Sequence, residues 1–218
     1  MNASFDDLTK RPLIPVITIE NADHAVPLAE ALLEGGIDVI EITFRTAAAA
    51  KAISAIAKAV PKMLLGAGTV VTPDQARQAI DAGVSFGLAP GLNPATVETF
   101  RKAGLLFVPG VMTPSEIEQG LALGCKLLKF FPAEQAGGAG FLKQMVGPYA
   151  GHGLRFCPTG GVTLDNMNDY LGLPIVSSVG GSWLATVKQI AAQDWATVTA
   201  QAREALGRVR GSGAAPRP

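Results

Sequence analysis

Short apolar runs alternate with amphipathic stretches along nearly the whole chain. The runs predict strands at 13–19, 37–44, 63–67, 84–89, 105–109, 125–131, 154–158 and 175–179. Many are continuously apolar rather than alternating, as expected of parallel strands covered on both sides. Between the first two, Ala25, Leu28, Ala29, Leu32 and Leu33 recur with helical spacing and end at Gly35-Gly36. Ala50, Ile53, Ala57 and Val60 do the same before Pro61. Thr72-Pro73-Asp74-Gln75 and Thr113-Pro114-Ser115-Glu116 each predict a capped helix start, with proline at the first position and a capping-box partner. Asn93-Pro94 repeats the cap and the proline. Residues 183–190 and 195–209 carry further helical pattern.

This repeated strand–helix beat, with no break in composition, predicts an α/β fold: a single (β/α)8 TIM barrel over residues 1–210, with a helical arm in residues 1–11. An open doubly wound sheet is the alternative, because counting beats does not show whether a sheet closes. The sixth unit is the weak one: Gln135-Ala136-Gly137-Gly138-Ala139-Gly140 leaves room only for a short helix. Residues 211–218, rich in Gly, Ala and Pro, predict a disordered tail.

Charge and composition narrow the function. Eighteen basic and eighteen acidic residues cancel without clustering, so nothing marks a nucleic-acid or membrane-surface partner. No apolar run approaches a membrane span, and the acidic amino terminus is not a secretion signal. Cys125 and Cys157 read as two buried thiols in a reducing, cytoplasmic setting. Neither they nor His24 and His152 have metal-ligand spacing, so no metal is expected.

The candidate chemistry gathers at the carboxyl ends of the strands, where barrels carry their sites. Lys129 lies near the end of an apolar strand, where a charge is costly to hide; the alternative is a snorkelling side chain. Period two puts Glu41, Thr43 and Arg45 on one strand face, with an internal ion network as the bland reading. Gly66-Ala67-Gly68-Thr69 sets a hydroxyl among small residues that let a ligand approach, or is simply a tight turn. Gly160-Gly161 and Gly180-Gly181-Ser182 follow the seventh and eighth strands, where many barrels bind phosphate, and a helix starting after Ser182 would add its positive end. A lysine, a carboxylate, an arginine, two threonines and a phosphate cradle suit imine chemistry on a phosphorylated keto acid. An ordinary lysine is neutral in only about one part in 10³ at pH 7. A carboxylate held close to it would favour the ammonium, so Glu41 is expected as a proton shuttle rather than a tight lysine partner.

These segments carry a family resemblance. Val39-Ile40-Glu41-Ile42-Thr43-Phe44-Arg45-Thr46, Gly66-Ala67-Gly68-Thr69-Val70, Leu88-Ala89-Pro90-Gly91, Pro109-Gly110-Val111-Met112-Thr113-Pro114, Lys129-Phe130-Phe131-Pro132-Ala133-Glu134, Phe156-Cys157-Pro158-Thr159-Gly160-Gly161-Val162 and Gly180-Gly181-Ser182-Trp183 are the matching stretches. From about residue 12 to 207 the chain resembles the 2-keto-3-deoxy-6-phosphogluconate (KDPG) and 4-hydroxy-2-oxoglutarate (KHG) aldolases. The resemblance implies a trimeric class I aldolase on a (β/α)8 barrel, without metal or cofactor, that yields pyruvate. It implies Lys129 as the Schiff-base lysine and Glu41 as the general acid/base. Arg45 and Thr69 match positions around the pyruvyl carboxylate, and Thr159 one beside the substrate chain. Gly160, Gly161, Gly181 and Ser182 match the phosphate end, and Pro90 and Phe131 the pocket wall. Ala47 to Ala50 depart from the polar residues usual after the Arg-Thr pair. The galactonate epimer as substrate, a non-imine phosphosugar isomerase or epimerase, and a non-catalytic phosphosugar-binding module are the rival readings.

Overall fold

The computed structural model describes residues 2–211, with side chains as far as Val209; most of the expected disordered tail, 212–218, lies outside the described residues. Helix α1 (Phe5–Thr9) leads into β1 (Leu13–Ile17), α2 (Ala25–Glu34), β2 (Val39–Thr43), α3 (Ala49–Ala59), β3 (Leu64–Gly68), α4 (Pro73–Ala82), β4 (Phe86–Leu88) and α5 (Pro94–Lys102). Then follow β5 (Leu106–Val108), β6 (Gly110–Val111), α6 (Pro114–Ala122), β7 (Leu127–Phe130), α7 (Gly138–Tyr149), β8 (Arg155–Pro158), α8 (Met167–Leu171), β9 (Val179–Gly181), α9 (Val187–Ala191) and α10 (Trp195–Gly211). The arm is α1, capped by Ser4 and anchored by Leu8, which is wholly buried.

All the ladders are parallel. A six-stranded sheet runs β5-β4-β3-β2-β1-β9 and a three-stranded sheet runs β6-β7-β8. Strands β1 and β2 are buried at every position, as parallel strands covered on both faces are, and in β2 this burial includes Glu41 and Thr43. The helices cover the sheet with narrow apolar faces; α3 contributes Ala52, Ile53 and Ile56, all without exposure. Two large rings reach the interior over strand positions that are glycine. A Cβ on Gly66 would lie 2.4 Å from the Phe86 ring, and one on Gly87 2.4 Å from the Phe100 ring.

The sequence predicts one fifth strand; the chain builds two, and Pro109 is the reason. The Pro109 carbonyl accepts from the Lys129 N–H on the β7 side at 2.9 Å, but proline has no N–H to return. The ladder therefore breaks there. The eighth strand also shifts. Ile175 and Ser177 bond to Phe156 of β8, and only from Val179, whose N–H donates to Pro12, does the segment join β1. A second bridge, Thr159 to Gly180, sits at the carboxyl ends of β8 and β9. In place of a continuous eight-stranded ring, the strands form a curled parallel sheet in two ladders, of six and three strands, with isolated bridges between them.

Two helices differ from expectation. α7 has 12 residues despite its glycines, because it buries Leu142 and stacks Phe141 on Phe130 at 5.2 Å. α8 was not foreseen; it holds Tyr170 in the core. At α4, Thr72 caps as expected, but Gln75 reaches the Val71 N–H rather than closing the box.

The α6 box is complete. Glu116 accepts from the N–H groups of Met112 and Thr113 at 2.7 and 2.9 Å. Partial burial disfavours its charge, but these bonds outweigh it and hold the carboxyl below its ordinary value. A depressed folded value means that the stabilisation is present above the unfolded carboxyl pKa and is lost as pH falls through the folded one. Thr113→Ala should cost roughly 1 kcal/mol. The melting-temperature gap between Glu116→Gln and wild type should close on acidification below the ordinary carboxyl range. Thermal melts at neutral and acid pH check this; a gap independent of pH would contradict it.

Candidate functional site

β7 places Lys129 in register with Gly110 on one side and Cys157 on the other. Its side chain does not snorkel: it is 4% exposed, and Nζ lies 3.1 Å from Oε1 of Glu41, itself 1% exposed. Glu41 is therefore the tight partner that the sequence reading argued against. The reason is tertiary. β2 and β7 belong to different ladders, 88 residues separate the pair, and burial leaves each charge no better partner. Among the described residues nothing donates to the second Glu41 oxygen, Oε2. The carboxylate thus holds the amine through one oxygen.

The small residues of β3 serve this pair. A Cβ on Gly68 would fall 1.9 Å from Glu41 Oε1, so glycine there makes room for the carboxylate rather than for a ligand. Thr69 follows in a left-handed conformation, φ 56°, unusual for a β-branched residue. Its hydroxyl accepts from Arg45 Nε at 3.3 Å. Arg45 is exposed at the mouth. Thr43, expected to point its hydroxyl into the site, donates it to the Ile17 carbonyl at 2.9 Å and lies 3.1 Å from Thr18 Oγ1. Thr18 was missed; the polar residue interrupting the apolar run 13–19 was its signal.

The other side of the lysine carries the remaining candidates. The Phe131 ring centroid is 5.7 Å from Lys129 Nζ. A Cβ on Gly160 would sit 3.3 Å from the same ring. Pro90 packs against Gly110, where a Cβ would come within 2.2 Å of the Pro90 carbonyl. Thr159 is buried, and its hydroxyl occupies the space that a Gly180 side chain would need. The Thr159–Gly180 bridge sets Gly160 and Gly161 beside Gly181 and Ser182. Gly160 and Gly161 both have left-handed φ, 96° and 78°. Ser182 is exposed and opens only a three-residue 3-10 turn, not the full helix expected.

One connected line thus runs from Arg45 through Thr69, Gly68 and Glu41 to Lys129, and on past Phe131 to Gly160. At one end stands a guanidinium, in the middle an amine with a carboxylate, and at the other a glycine turn. Both cysteines are free and buried, and burial pushes the Cys125 thiol up to about 11 and the Cys157 thiol upward too, so neither is poised as a nucleophile. Among the described residues no cluster of three or more His, Cys, Asp or Glu could hold a metal ion, and no helix is long and apolar enough to cross a membrane.

Comparison with known proteins meets this geometry. The family model for KDPG and KHG aldolase matches residues 5–201. The KHG/KDPG aldolase of Escherichia coli K12 is 43% identical over 199 residues, covering 91% of this chain and 92% of its own. The 2-dehydro-3-deoxy-phosphogluconate aldolase of Treponema pallidum is 44% identical over 202 residues, covering 93% and 95%. The KDPG aldolase of Legionella pneumophila, solved with pyruvate captured as a covalent carbinolamine intermediate, superposes with a TM-score of 0.89 at 39% identity, covering 92% of this chain and 97% of its own. With a family model spanning most of its length and relatives above 40% identity, this chain belongs to the KDPG and KHG aldolase family.

Proposed function

We propose that the protein is a class I, Schiff-base aldolase that cleaves 2-dehydro-3-deoxy-6-phosphogluconate to pyruvate and D-glyceraldehyde 3-phosphate. The observation that carries this is the buried Lys129–Glu41 pair, 3.1 Å apart. An amine must lose a proton before it can attack a ketone, and Glu41 is within reach to take it. The neutral amine adds to the C2 carbonyl to give a carbinolamine; Glu41 returns the proton it took to the departing hydroxyl, so water leaves, an iminium forms and the carboxylate is free again. Glu41 then removes the proton of the C4 hydroxyl, directly or through a water. The C3–C4 electron pair flows into the iminium and the aldehyde leaves. Protonation of the enamine at C3 and hydrolysis of the imine release pyruvate and restore the lysine. The carbinolamine captured with pyruvate in the Legionella relative supports the first of these steps, addition of an amine to the keto group.

In this reading Arg45 and Thr69 receive the pyruvyl carboxylate and Thr159 meets the substrate chain. Pro90 and Phe131 wall the pocket, while Gly160, Gly161, Gly181 and Ser182 take the phosphate. Slower action on 4-hydroxy-2-oxoglutarate follows, because its pyruvyl end is the same. A non-imine isomerase or epimerase and a simple binding module are the rival readings, and covalent imine formation at Lys129 is what separates them from this one. The reading includes one domain over 1–210 on a closed (β/α)8 barrel, supported by the Thr159–Gly180 and Phe156–Val176 bridges between the ladders.

Borohydride with pyruvate should add one reduced pyruvyl group per chain, mapped to Lys129 by peptide mass. Lys129→Arg should abolish both adduct and cleavage, because a guanidinium stays protonated. Adduct at Lys126 would refute the assignment.

Glu41→Gln should lower kcat by about 10²–10⁴-fold with much smaller change in KM. Gly68→Ala should lower kcat in the same direction, since its Cβ would displace the Glu41 carboxylate. Steady-state kinetics on folded variants decide; wild-type turnover in either would return Glu41 to a structural role.

A homotrimer, proposed on family resemblance alone, is expected by light scattering at working concentration. A monomer or dimer there would overturn it.

A further inference from the structure

The glycine turn after β8 is gripped by residues that no step above uses. Thr159 and Gly160 give their carbonyls to the backbone N–H groups of Ala133 and Glu134, at 2.8 and 3.1 Å. The Gly161 carbonyl accepts from Asn166 Nδ2 at 3.1 Å. Asn166, which precedes α8, is itself fixed by Thr163, whose N–H donates to Asn166 Oδ1 at 2.7 Å. The space where a Gly161 side chain would stand is filled by Glu134: a Cβ there would meet Glu134 Cγ at 2.4 Å and Cβ at 2.6 Å. The Glu134 carboxylate is in turn held by the hydroxyl of Tyr170, a residue 1% exposed in the last turn of α8.

These contacts fix one donor. A trans peptide is planar, with its N–H pointing opposite to its C=O. The Gly160 carbonyl points at the Glu134 N–H, so the Gly161 N–H of the same peptide points away from Glu134. Among the described residues no protein acceptor takes it. Glu134 thus sets that donor twice, through its own N–H and through the stem that rests on Gly161.

We propose that Glu134 and Tyr170 are positioning residues for the phosphate end of the substrate, with Tyr170 holding the Glu134 stem against Gly161 so that the Gly161 N–H stays aimed at the phosphate. This rests on the phosphate assignment made above for Gly160 and Gly161. It also gives α8 a role: the helix and the residue before it grip the turn at two points, through Asn166 on the carbonyl and through Tyr170 on the Glu134 carboxylate.

Tyr170→Phe removes one hydroxyl and keeps the buried ring. The readouts are KM and kcat for the phosphorylated substrate, the competitive Ki of inorganic phosphate, and the rate of borohydride trapping with pyruvate, which carries no phosphate. KM and Ki should both rise roughly three- to tenfold, the size of one lost hydrogen bond, while kcat and trapping hold. Glu134→Gln keeps the stem and an acceptor for the tyrosine and should stay near wild type. Glu134→Ala, which removes the stem, should lose at least as much as Tyr170→Phe. Unchanged KM and Ki in Tyr170→Phe would overturn the proposal, as would an equal fall in trapping and cleavage, which marks a general structural role. Failure of inorganic phosphate to compete even in the wild type would instead remove the phosphate assignment itself, and this proposal with it.

Discussion

Two opposite charges, each almost wholly removed from water and 3.1 Å apart, are the constraint around which the molecule is arranged. Burying either charge alone would cost several kcal/mol, and their attraction offsets this only with close geometry. The pair joins β2 of the six-stranded ladder to β7 of the three-stranded one, so the relative placement of the ladders and the state of the site are one problem. A shift of either strand would leave a charge buried without its partner. The same pairing that secures the fold leaves Glu41 Oε2 without a donor among the described residues. Structural cost and chemical capacity thus sit in one group.

Glycine is how the strands accommodate this. Gly68 yields its side-chain space to the Glu41 carboxylate, Gly66 and Gly87 to the Phe86 and Phe100 rings, and Gly110 to the Pro90 carbonyl. Glycine in a strand interior weakens the strand in isolation. Here each one lets a larger group from a neighbouring element reach the interior, so the lost propensity is offset by packing elsewhere. The mouth carries strain of its own: Thr69, which follows Gly68, holds a left-handed backbone that a β-branched side chain disfavours, and its hydroxyl meets Arg45.

The parts of the fold that could be read from the chain were those set by local chemistry. Apolar runs located the strands because parallel strands are covered on both faces. The Asn93 and Thr113 starts were legible because the cap and the proline, and at Thr113 the Glu116 partner, are neighbours in sequence. The break at Pro109 was visible in principle, since the missing N–H is a property of the residue, but which edge it faced was not. α7 runs longer than the short helix expected because its glycines gave little helical signal, while the stacking of Phe141 on Phe130 comes from β7. α8 was invisible because five residues give too little periodicity to register.

For the site, the sequence by itself determined the cast: a lysine in an apolar strand, Glu41 and Arg45 at period-two spacing, Thr69 beside small residues, and glycine pairs after the last two strands. Residue type and strand period are enough for that, and the run of motifs pointed to the family. Only the tertiary structure decided who meets whom. That Glu41 grips Lys129 rather than standing off, that Gly68 serves the carboxylate, that Thr43 spends its hydroxyl on Ile17, and that Tyr170 reaches Glu134 are all contacts between distant segments. No local pattern encodes them. They arise when the strands pack and each buried polar group takes the nearest partner that can satisfy it.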